Sequence, residues 1–117
     1  MSETVLYCRT ANGGMEMINQ QLESLRQYGK DKGYAIAAEY NDCNMNGTEI
    51  NRPELQKLLN DIRAGKVKRI IVNDLSRLAR NLLLFVELDR LFENNGVELI
   101  SVKDSDFTDT AFNKEIS

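Results

Sequence analysis

The chain has 117 residues, enough for one hydrophobic core and too few for two domains. Its 15 Lys and Arg against 18 Asp and Glu leave a formal charge of −3, so bulk charge does not advertise nucleic-acid binding and any phosphate site must be local. There is no histidine, which removes the commonest general base and the commonest zinc ligand; Cys8 and Cys43 are too few for a disulfide framework and lie in no metal-ligand spacing.

Thr4–Cys8 is a short apolar run and predicts a strand. From about Met15 to Lys32 the pattern is helical, with Ile18, Gln21, Leu22 and Leu25 on one side, charges on the other, and Gly33 closing it. Tyr34–Tyr40 predicts a second strand, and the aperiodic "NDCNMNGTEINR" of 41–52 predicts a loop. Pro53 opens a second helix at its first turn, where a missing N–H costs nothing; Leu55, Leu58, Leu59 and Ile62 form its buried stripe and "AGK" ends it. Arg69–Asn73 is a continuous apolar run of the kind buried on both faces of a sheet. "DLSRLARN" predicts a loop, Leu84, Phe85, Leu88, Leu91 and Phe92 a third helix ended by "NNG", and Val97–Val102 a fourth strand before a polar, weakly patterned tail.

This alternation predicts an α/β domain over 1–117: a mostly parallel, four- to five-stranded sheet with helices on both faces. No apolar run is long enough to span a membrane and no signal peptide opens the chain, so the expected location is the cytoplasm. Ligands bind such sheets beyond the carboxyl ends of the strands. The loops to inspect are therefore Arg9–Gly14, Asp42–Arg52, Asp74–Asn81 and Lys103–Thr110.

Those loops bring Arg9, Arg52, Arg77 and Arg80 from distant sequence toward one edge of the sheet. Guanidinium suits phosphate, by paired hydrogen bonds and permanent charge, and converging arginines stabilise charge building on a phosphoryl group. The plain alternative is four solvated surface arginines. Arg77 and Arg80 are three apart, on one side of any helical turn, and cations set against a helix N-terminus suggest an anion between them. Asp42 and Asp74 also sit at strand ends; ion pairing to the arginines is favoured over metal binding, because their loops lack further acidic ligands at tight spacing. Gly13–Gly14 is no phosphate loop, since no G-K-[ST] follows. Cys43, without a histidine partner and with acidic neighbours, reads as an incidental loop residue.

"YCRTAN", "YND…NGTEINRPEL" and "IIVNDLSRLARN", in this order and spacing, resemble the catalytic domain of serine recombinases, the resolvases, invertases and large integrases or transposases. The resemblance runs from about Val5 to Thr110, and the "DLSRLARN" form is more similar to the large, transposon-borne branch. It implies a resolvase-like catalytic domain that acts on DNA, works as a dimer or tetramer, cuts through a 5′-phosphoserine linkage and religates, with neither metal nor cofactor. It further implies roles for Arg9, Arg52, Arg77 and Arg80 on the DNA phosphate, with Asp42 and Gln21 supporting the site.

Ala11 falls on the nucleophilic serine of that pattern, and a methyl group cannot attack phosphorus, so the chain is expected not to cleave DNA. Thr10 is no substitute if strand alternation continues, because Arg9 and Ala11 would then share a face and Thr10 the other. Ser76 stands where small resolvases carry aspartate, and Asn46–Gly47 replaces the family's Ser-Gly. The family's dimerisation helix and DNA-binding domain do not fit after Thr110, so the chain reads as an excised or truncated catalytic domain. Two other readings stay open: a non-catalytic, recombinase-like partner or regulatory module, and an unrelated flavodoxin-like domain for a small phosphorylated ligand.

Overall fold

The computed structural model of the chain describes residues 3–12, 14–45 and 50–103. Its elements, in chain order, are β1 (Thr4–Arg9), α1 (Gly14–Lys32), β2 (Ile36–Asp42), α2 (Pro53–Arg63), β3 (Arg69–Val72), a 3₁₀ turn (Leu75–Arg77), α3 (Leu82–Asn94) and β4 (Glu98–Ser101). The four strands form one sheet in the order β2-β1-β3-β4, and every neighbouring pair is parallel. The α/β architecture is thus as expected, with four strands among the described residues.

Alternation along β1 divides the core. Leu6 and Cys8 face α1, packing with Ile18, Leu22, Leu25 and Ile71. Val5 and Tyr7 face the other way, where Ile70 and Val72 of β3 meet the stripes of α2 and α3, including Leu55, Leu58, Phe85 and Phe92. Helices therefore cover both faces, and every residue of β1 is buried. Such a strand needs apolar side chains on both sides, which is why "TVLYC" has no polar alternation.

Two segments differ by more than one residue from the sequence reading. β2 starts at Ile36 and runs to Asp42, two residues later at each end than its apolar pattern suggests. Asn41 and Asp42 continue the ladder because they pair with Cys8 and Arg9 of β1, a contact that local propensity does not register. The "DLSRLARN" loop contains a 3₁₀ turn at Leu75–Arg77. Among the described residues no helix is long and apolar enough to cross a membrane.

Candidate functional site

The order of the sheet reverses at β1: β2 lies on one side of it and β3 on the other. The connection leaving β1 enters α1 on one face, and the connection leaving β3 enters α3 on the opposite face. A crevice at the carboxyl ends follows from that divergence.

β3 pairs only with Thr4, Val5 and Leu6 of β1, so the end of β1 has no strand partner on that side. Gln21, on the buried face of α1, fills the place. Its Oε1 accepts from the Arg9 backbone N–H at 3.3 Å and its Nε2 donates to the Arg9 carbonyl at 3.1 Å. This clamp fixes the residue whose side chain enters the crevice.

Arg9 is 1% exposed. Its guanidinium donates from Nε to the Arg77 carbonyl (3.1 Å), from Nη1 to the Met45 carbonyl (2.8 Å) and from Nη2 to the Ser76 carbonyl (2.7 Å). Arg52, also 1% exposed, donates from Nη1 to the same Arg77 carbonyl at 2.9 Å and to the Tyr7 hydroxyl at 3.3 Å, and from Nη2 to the Leu78 carbonyl. Two guanidinium groups thus grip three successive carbonyls at the end of the 3₁₀ turn. Those carbonyls lie where a helical turn leaves its acceptors unsatisfied and carries partial negative charge, so cations fit them. Arg77 closes the circuit by donating from Nη1 to the Arg9 carbonyl at 3.0 Å.

The two carboxylates do different work. Asp42 accepts from the Tyr7 hydroxyl at 2.6 Å and from the backbone N–H groups of Glu54 and Leu55, each at 3.0 Å. Arg52, the N-cap residue of α2, provides no side-chain cap. A carboxylate from the end of β2 caps that helix instead, against the positive end of its dipole. Asp74 is the N-cap of the 3₁₀ turn; its Oδ1 accepts from the Ser76 N–H at 3.1 Å and from the Ser76 hydroxyl, while its Oδ2 lies 3.4 Å from Arg77 Nε.

Electrostatics tie the four arginines together. Burial pushes the Arg9 guanidinium below the usual arginine range, Arg52 adds to that, and Arg77 and Arg80 contribute further; Tyr7 opposes them. Burial likewise holds the Tyr7 phenol protonated well above the usual range, with Arg52 acting against burial and the bond to Asp42 acting with it. The Cys8 thiol is pushed up to about 12, first by burial and then by Glu39. A buried thiol of that kind is a packing group, not a nucleophile.

The structure therefore brings Arg9, Arg52 and Arg77 into one hydrogen-bonded cluster, with Gln21 and Asp42 bonded to it directly or through Tyr7. Arg80 stands apart: it is exposed just before Asn81, the N-cap of α3, while Arg77 is half-buried. Two expectations need correction, and the alternative of four solvated surface arginines fails for Arg9 and Arg52. Asp42 spends its carboxylate on Tyr7 and the α2 N-terminus rather than on an arginine, whereas Asp74 does pair with Arg77. Arg9 and Arg52 are not open toward solvent, because the turn supplies carbonyls that take their donors. And β1 ends at Arg9, so alternation does not carry to Ala11, which is exposed while Arg9 is buried. Thr10 is 1% exposed, and its hydroxyl accepts from the Asn44 N–H at 3.2 Å. Gly13, Asn46–Gly47 and residues 104–110 lie outside the described residues.

Sequence reasoning missed the Tyr7 hydroxyl, which joins Asp42 to Arg52. A tyrosine inside an otherwise aliphatic buried strand was the available signal, since a buried phenol needs a partner.

The family model of the resolvase N-terminal domain matches residues 4–116. The chain belongs to the resolvase N-terminal domain family. Among curated proteins it is similar to the Transposon Tn917 resolvase of Enterococcus faecalis, 28% identical over 97 residues that cover 83% of this chain and 48% of the relative. The chain spans about half the length of that relative. Among solved structures, the N-terminal catalytic domain of TP901-1 integrase superposes with a TM-score of 0.86 over 98% of this chain and 88% of that one; at 24% identity this is a likeness of fold. The C-terminal catalytic domain of ISC1926 TnpA, an IS607-like serine recombinase, gives 0.79 at 26% identity, covering 86% of this chain and 68% of that one. A resolvase family site-specific recombinase from Streptococcus pneumoniae gives 0.73 at 28% identity, covering 90% and 74%. The match over residues 4–116 places the chain in the resolvase family and not with the unrelated flavodoxin-like alternative.

Proposed function

We propose that residues 1–117 form a DNA strand-exchange domain of the serine recombinase type whose nucleophile position is held by Ala11, so that the chain grips a DNA phosphate without cutting it. The observation that carries this reading is the single Arg77 carbonyl shared by Arg9 and Arg52, at the end of the strand that leads two residues later to Ala11. Half-buried Arg77 and exposed Arg80 meet the phosphate first. Arg9 and Arg52 raise the local positive field and engage the phosphate by exchanging carbonyl partners for its oxygens, since charge-assisted bonds are the stronger ones. Gln21 and Asp42 hold the set in place. DNA and further copies of the chain are its partners, and the site asks for no cofactor.

The test restores the hydroxyl. Ala11→Ser, in the whole protein that carries this chain, is incubated with its DNA site and resolved on a denaturing gel. Covalent protein–DNA adducts are expected, and Arg77→Ala or Arg80→Ala abolishes them. Tight binding with no adduct in the serine form overturns the strand-exchange reading in favour of a non-catalytic partner module.

A further inference from the structure

The Asp74 carboxylate and the Ser76 hydroxyl bond to neither Arg9 nor Arg52, and their geometry gives them a task. The Asp74 carboxylate is divided: Oδ1 takes both the N–H and the hydroxyl of Ser76, and Oδ2 faces Arg77 Nε at 3.4 Å. Arg77 Nε is itself buried and makes no hydrogen bond. The negative charge beside it is thus what compensates a buried cationic N–H, which otherwise costs more than a neutral one. On the other side of the same guanidinium, Nη1 is fixed on the Arg9 carbonyl, which Gln21 also holds. Nη2 makes no hydrogen bond to the described residues.

We propose that Asp74, steered by the Ser76 hydroxyl, is a positioning residue for Arg77: it locks the Nε side of the guanidinium so that Nη2 is presented, in one orientation, to a phosphate oxygen. This rests on the phosphate-gripping reading above and deepens it. A cap alone needs only the Oδ1 contact to the Ser76 N–H. The positioning role needs the charge on Oδ2 and the hydroxyl that turns the carboxylate. The two roles separate in Asp74→Asn, whose amide oxygen still caps the turn but whose charge is gone. They separate again at Ser76, where threonine keeps the hydroxyl and alanine does not.

The experiment labels the arginine side chains of the 117-residue chain with ¹⁵N and measures the order parameter of the Arg77 Nε–Hε bond by NMR relaxation, with exposed Arg90 as internal reference. Asp74→Asn is expected to lose most of the order that sets Arg77 above Arg90. Ser76→Ala is expected to lose a part of it, and Ser76→Thr to stay near the parent value. An unchanged order parameter in both Asp74→Asn and Ser76→Ala overturns the proposal, and so does a Ser76→Thr variant as disordered as Ser76→Ala. A second readout adds Asp74→Asn to Ala11→Ser and follows adduct formation on DNA. A tenfold or larger fall supports positioning, and an unchanged rate overturns it. If Ala11→Ser alone forms no adduct, the strand-exchange reading fails by itself, and the Nε–Hε order parameters still decide the role of Asp74.

Discussion

Replacing Gln21 with leucine removes the hydrogen bonds to the N–H and the carbonyl of Arg9 while keeping side-chain volume, and the structure says how the loss divides. The Arg9 carbonyl keeps a partner, because Arg77 Nη1 also donates to it. The Arg9 N–H loses its acceptor at a position where β3 no longer runs alongside. An unsatisfied buried donor costs about 1–3 kcal/mol, and the better packing of leucine returns a part of that, so the net loss is about 2 kcal/mol. At about 2.1 cal/mol/K of unfolding entropy per residue, a chain of this size loses about 4 °C of Tm per kcal/mol, so Gln21→Leu should melt about 8 °C lower. Thermal unfolding by circular dichroism measures this, checked for reversibility and a single transition. Gln20→Leu, one residue away on the exposed side of α1, is the control and should stay within about 2 °C. If Gln21→Leu melts with its control, the clamp on the end of β1 is not an energetic feature, and the account of how Arg9 is fixed fails with it.

Two further outcomes follow from the charges of the site. Tyr7→Phe leaves Asp42 Oδ2 with only the Leu55 N–H and takes an acceptor from Arg52, at a cost of about 1–2 kcal/mol at neutral pH. Because the folded state holds the phenol above its ordinary value of 10.0, its contribution is intact below about pH 10 and is lost as pH rises toward the folded-state value. Urea midpoints should therefore fall less steeply above pH 10 in Tyr7→Phe than in the parent, and parallel curves would contradict the placement of that phenol. Sulfate should stabilise the chain more than chloride at matched ionic strength, because a divalent anion offsets mutually repelling arginines. With a Kd near 10 mM, 100 mM sulfate adds about 1.4 kcal/mol, or roughly 6 °C. Arg77→Ala and Arg80→Ala should lose most of that increment, and a sulfate response equal in all three proteins would show general salting only.

The elements of this protein are written in local patterns. "TVLYC" and "RIIV" are buried strands because they lack polar alternation, Pro53 starts a helix because its missing N–H is harmless there, and the βαβ order makes the sheet parallel. The same order put Arg9, Arg52 and Arg77 at one end of the sheet, and Ala11 stands two residues after Arg9; a likeness to serine recombinases was legible from the motifs alone. What each arginine touches was not. Which donor meets which acceptor depends on residues 25 to 68 positions apart in the chain, such as Arg9 on the Ser76 carbonyl and Arg52 on the Arg77 carbonyl. No periodicity encodes such pairs, because they form only once the turn after β3 has folded over the end of β1. The same holds for Asp42. Its place at a strand end could be read from the sequence, but its capping of α2 arises from the lateral packing of β2 against that helix, a distance relation that only the closed fold creates.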